Sequence, residues 1–70
     1  LDTKQNLSQA IKYYKKAYSI NKNDYAANNI GQIYLVGGAG VKKNLELAKQ
    51  WLRKSNINMA KNTLKKLGAK

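Results

Sequence analysis

A chain that lies over itself at a fixed offset has few folds open to it, and this one does so twice. Moved by 38 residues, positions 6–17 fall on positions 44–55. Asn6 then meets Asn44, Leu7 meets Leu45, Ala10 meets Ala48 and Lys16 meets Lys54. Tyr13 falls on Trp51, Tyr14 on Leu52 and Ala17 on Ser55. A second shift, of 34, sets Ala26, Ile30 and Ile33 over Ala60, Leu64 and Leu67. A unit repeated this way cannot bury its apolar face alone, so neighbouring units must stack.

The spacing of apolar residues makes each unit helical. Leu7, Ala10, Ile11, Tyr14, Ala17 and Tyr18 recur at steps of three and four, the period of one helix stripe. A first helix is therefore predicted over 6–20, with Asn6 as its cap and Gln9 as a capping-box partner. The polar run Asn21-Lys22-Asn23-Asp24 breaks it, and Asp24 is predicted to cap a second helix whose stripe is Ala26, Ile30, Ile33 and Tyr34. Gly37-Gly38-Ala39-Gly40 ends that helix, since glycine suits the left-handed residue that closes one. Asn44 caps a third, with Glu46 in its dipole-favoured first turn and a stripe of Leu45, Ala48, Leu52 and Ser55 beside Trp51. Ile57, Ala60, Leu64 and Leu67 give a short terminal helix over 57–67. Strand-like alternation is missing, so the expected fold is all-α: stacked antiparallel α-hairpins, four helices in the order B-A-B-A′, as a single repeat domain over 1–70. Ala10, Ala17, Ala26, Ala48 and Ala60 allow close approach of helix axes, and the rings at 13, 14, 34 and 51 are expected to fill the space between layers.

Composition narrows the chemistry. Fourteen basic residues against three acids give a net charge of +11 over 70 residues, with no Cys and no His. Thiolate chemistry, disulfides and the commonest general base are thereby excluded. The carboxylates Asp2, Asp24 and Glu46 have no shared helical spacing, and a two-carboxylate hydrolase needs both groups converging on one bond. No catalytic residue, no metal site and no cofactor is expected. The apolar run Ile33-Tyr34-Leu35-Val36 is far short of the ~20 residues of a membrane span. A single core this small rarely supplies more than ~3–5 kcal/mol. The chain is accordingly expected to be a piece of something longer, or a subunit that stacks on a partner or on itself.

Ala26, Ile30-Gly31, Tyr34, Gly38-Ala39-Gly40-Val41, Asn44, Ala48, Trp51 and Lys54 together resemble the Sel1-like repeat, a relative of the tetratricopeptide repeat. That pattern runs A-x-x-x-L-G-x-x-Y, then G-x-G-V, then D-x-x-x-A-x-x-W. It covers 24–55 as one near-complete repeat and 6–17 as the second helix of a preceding one. Asn44 stands where Asp is usual. Lys65 and Gly68 stand at the Gly and Tyr positions of the last helix, as in a degenerate terminal cap. The resemblance implies a short right-handed α-solenoid used as a non-catalytic protein-binding scaffold or adaptor. Similar proteins are often exported or envelope-associated in bacteria.

The resemblance also implies that the first helices of the repeats line a concave groove. Tyr25, Asn28 and Gln32 point away from the second helix's apolar stripe, and Met59, Asn62 and Lys66 are their counterparts on the fourth. Their amides suit an extended peptide backbone, and Lys66 suits an acidic side chain or terminal carboxylate. A protein or acidic peptide is the expected partner. A second candidate is a basic strip of Lys12, Lys15, Lys16, Arg53 and Lys54 along the second helices, which would attract nucleic acid or another anionic surface. The run 37–43 lacks the strand and Gly-Lys-Ser/Thr spacing of a phosphate loop and reads as an interhelix turn, with Val41 tucked between helices. Gly31, inside a helix, costs about 1 kcal/mol relative to Ala, which points to close approach of a partner helix.

Overall fold

The computed structural model describes residues 7–38 and 40–68. They form four helices, α1 (Leu7–Asn21), α2 (Asp24–Val36), α3 (Leu45–Lys54) and α4 (Asn58–Lys66). The all-α expectation holds. α1 and α3 begin 38 residues apart, and α2 and α4 begin 34 apart, the two offsets read from the sequence.

Local chemistry sets the boundaries. Asn44 caps α3 as expected, its Oδ1 accepting from Leu47 N at 3.0 Å. The cap of α2 is Asn23, not Asp24: its extended backbone lets Oδ1 accept from Tyr25 N and Ala26 N at 2.9 and 3.1 Å. Asn and Asp cap about equally well. Lys22, just before the cap, takes a left-handed φ of 55° where the chain turns from α1 into α2. Asn6, expected to cap α1, and Asp2 lie outside the described residues. Between α2 and α3, Gly37 and Gly40 take φ of 76° and 79°, and Gly38 and Val41 exchange a pair of backbone hydrogen bonds at 2.9 and 3.0 Å. The run is thus a tight interhelix turn, and Asn44 N donates to Tyr34 O at 2.8 Å to bind it to α2.

α2 packs against all three other helices. Its Ala26, Ala27 and Ile30 are buried together with Ala48, Leu52 and Ser55 of the α3 segment. Ser55 Oγ donates to Asp24 O at 2.8 Å and accepts from Ile57 N at 3.4 Å, so one buried hydroxyl joins the start of α2 to the approach of α4. Leu45, expected on the buried stripe of α3, is exposed.

The tightest contact lies at Gly31. A Cβ added there would sit 2.6 Å from Leu52 Cγ, 2.7 Å from Leu52 Cδ2 and 3.1 Å from Ala48 O. Overpacking of this kind costs typically ~1–3 kcal/mol, against the ~1 kcal/mol that Ala gains over Gly in a helix. Leu52 is fully buried and cannot swing away, so the steric term wins. Gly31→Ala is expected to lower the thermal midpoint by several degrees, on a scale of ~4–8 °C per kcal/mol for a domain of this size. A raised midpoint in a melting experiment would show that helix propensity prevails over the contact.

Candidate functional site

Two surfaces carry the residues singled out above, one on α2 and α4 and the other on α1 and α3.

On the first, the structure divides the expected groove row into two kinds of residue. Tyr25 and Met59, each the second residue of its helix, are large apolar side chains left 69% and 59% exposed. Asn62 and Lys66 are also exposed. Asn28 is not: it is only 3% exposed, and Gln32 is half-buried. The expectation that both amides face a groove is corrected for Asn28, because α4 covers that flank of α2. Asn28 Nδ2 donates to Met59 Sδ at 3.5 Å, and Asn28 Oδ1 accepts from Gln32 Nε2 at 3.2 Å. Gln32 Nε2 donates in addition to Thr63 Oγ1 at 3.0 Å, and Thr63 Oγ1 donates to Met59 O at 2.9 Å. A polar chain therefore ties α2 to α4 beneath the exposed Tyr25 and Met59. Helical period placed Asn28 off the apolar stripe correctly, but the position of a fourth helix cannot be read from period.

Sequence reasoning missed Val36, which is 75% exposed. It lies eleven residues after Tyr25, three turns along the same row of α2. The signal was that row, Tyr25, Asn29, Gln32 and Val36, which mixes apolar ends with amides in the middle.

On the second surface, Lys12, Lys15, Lys16, Arg53 and Lys54 are all exposed. The structure brings two of them together. Lys15 Nζ lies 6.0 Å and Lys54 Nζ 5.5 Å from the centroid of the Trp51 ring. Tyr18 meets Trp51 edge-on, with centroids 5.6 Å apart and planes at 86°, and Lys22 Nζ lies 5.7 Å from the Tyr18 ring. Tyr13, aligned with Trp51 under the repeat shift, does not fill an interlayer space. It is 70% exposed and touches Tyr14 edge-on at 5.8 Å. The equivalence fails because Trp51 has the Tyr18 ring of α1 to pack on.

A cleft of about 380 Å³ lies where the first turns of α1 and α3 meet the end of α2. Ile11, Tyr34, Val41 and Leu47 form its apolar wall, with Lys42 and Asn44 at its edge. Val41 is half-buried there, near its expected place between helices.

The Sel1 repeat model matches this sequence over residues 1–21 and 24–56. The chain belongs to the Sel1 repeat family. Sel1 repeats generally mediate protein–protein interaction and are a non-catalytic kind of scaffold. No curated protein and no solved structure matches the chain. Among the described residues, no helix of this Sel1 repeat protein is long and apolar enough to cross a membrane.

The polar chain on α2 and α4 yields a test. Gln32→Ala leaves the buried Oδ1 of Asn28 without a donor, a loss of about 1–3 kcal/mol. Asn62→Ala, on the exposed flank of α4, is expected to stay within about 0.5 kcal/mol. Urea denaturation of both variants should rank them in that order, and the reverse order would show that the amide chain does not hold α4.

Proposed function

We propose that the chain is a non-catalytic interaction module that holds a partner protein or acidic peptide across the face formed by α2 and α4. Tyr25 and Met59 act as apolar anchors, Asn62 and Lys66 as polar contacts, and Asn28 and Gln32 as the brace that keeps the two helices at a fixed separation. The observation that carries this reading is the pair of large side chains left exposed at repeat-equivalent positions over a satisfied polar chain. Scattered exposed apolar residues are ordinary on any protein. Two at one repeat offset, on helices linked by side-chain hydrogen bonds, are a patterned surface. The charge of +11 favours encounter with acidic partners. Asp24 and Glu46 lie in the first turns of α2 and α3, where a negative charge favours the helix dipole.

A second observation supports stacking. Ala48, Leu52 and Ser55 are buried under α2, whereas their equivalents Ala10, Tyr14 and Ala17 on α1 are only half-buried. That face of α1 is suited to a further helix, from another repeat or another copy. Tyr18, on the same stripe, is already engaged by Trp51.

Peptide-display selection on the intact chain tests the groove. Selected binders should be acidic with an apolar anchor, and Tyr25→Ala and Met59→Ala should each weaken them by more than about 1 kcal/mol, roughly fivefold. Lys66→Ala should weaken them less, and less still as salt rises. Binders indifferent to all three substitutions would place the interaction on another surface.

A further inference from the structure

We propose that the cluster of Lys15 and Tyr18 on α1, Lys22 just after it, and Trp51 and Lys54 on α3 binds single-stranded nucleic acid without sequence preference. The site is separate from the α2–α4 face and does not depend on it.

Three ammonium groups, Lys15 of α1, Lys54 of α3 and Lys22 of the link between α1 and α2, rest over two rings that touch each other. A ring contact does not neutralise an ammonium, so the charge stays available to an anion. Glu46 lies in the first turn of α3, and Lys54 is at the opposite end of that helix. Asp24, two residues beyond Lys22, is half-buried in the first turn of α2. The charge at this end is thus strongly positive around an aromatic centre.

Cation, ring and cation in sequence match what a single strand presents, a base bracketed by phosphates. Lysine stems are flexible enough for an ammonium to lift from the Trp51 face to a phosphate oxygen while a base takes its place on the ring. Base–aromatic stacking of this kind is tolerant of sequence. Other polyanions fit less well. A run of acidic side chains would neutralise the lysines but leave the ring unused. An anionic bilayer calls for an apolar side chain that protrudes, and Trp51 is half-buried.

Trp51 is the single tryptophan of the chain, so its fluorescence reports on the site directly. The intact chain would be titrated with oligothymidylate, with inorganic polyphosphate and with polyglutamate as charge-only probes. Saturable quenching by oligothymidylate is expected, with affinity falling roughly 20-fold between about 50 and 200 mM salt if three phosphates are neutralised. Lys15→Ala combined with Lys54→Ala should reduce affinity at least tenfold with the circular dichroism of the native helices intact. Tyr25→Ala, on the other face, should leave it unchanged, which keeps this result independent of the groove. Three outcomes would overturn the proposal: no binding at the lower salt, polyglutamate bound as tightly as the oligonucleotide, or polyphosphate producing the same quenching.

Discussion

The rest of the fold depends on how closely α2 and α3 approach each other at Gly31. With no side chain at that position, Leu52 comes to lie directly on the α2 backbone and the Ala48 carbonyl comes within van der Waals range. Ala27, Ile30, Ala48 and Leu52 are fully enclosed as a result. Among the described residues Ile11, Ala26 and Ala60 complete the buried apolar set around them. The tight Gly37–Val41 turn and the Asn44–Tyr34 backbone bond keep the two helices antiparallel and in register for it.

The same contact sets apart the repeat-equivalent helices α2 and α4. The positions on α4 equivalent to Ala27 and Gly31 are Lys61 and Lys65, both exposed. A helix approaching α4 as α3 approaches α2 would have to bury two ammonium groups, a cost that unpaired charges do not recover. α1 presents the opposite case, small residues at Ala10 and Ala17 with Tyr14 between them. α4 thus carries charge where α2 is bare, whereas α1 keeps the small residues that α3 uses to pack. α4 is held by the fully buried Ala60 as well as by the amide chain to α2, while Tyr25 and Met59 stay at the surface.

Much of this was legible in the residues. The cap at Asn44 and the stop at the glycine run follow from a few neighbouring residues, the offsets of 38 and 34 from comparing the chain with itself, and the close approach at Gly31 from a glycine standing where a helix would favour alanine. The rest depended on tertiary placement. Asn28 is polar and off the apolar stripe, so period alone aims it outward, yet α4 buries it. Tyr13 and Trp51 are equivalent in sequence and differ in fate, since only Trp51 has a facing ring in Tyr18. The convergence of Lys15 and Lys54 on that ring follows from how α1 and α3 lie together, which composition does not encode.

Native-state hydrogen exchange followed residue by residue tests the central claim most directly. If the α2–α3 contact organises the fold, the amides of Ile30, Gly31 and Leu52 exchange slowest and only through global unfolding, while those of α1 and α4 open earlier. Amides in α1 or α4 that outlast Gly31 and Leu52 would contradict it.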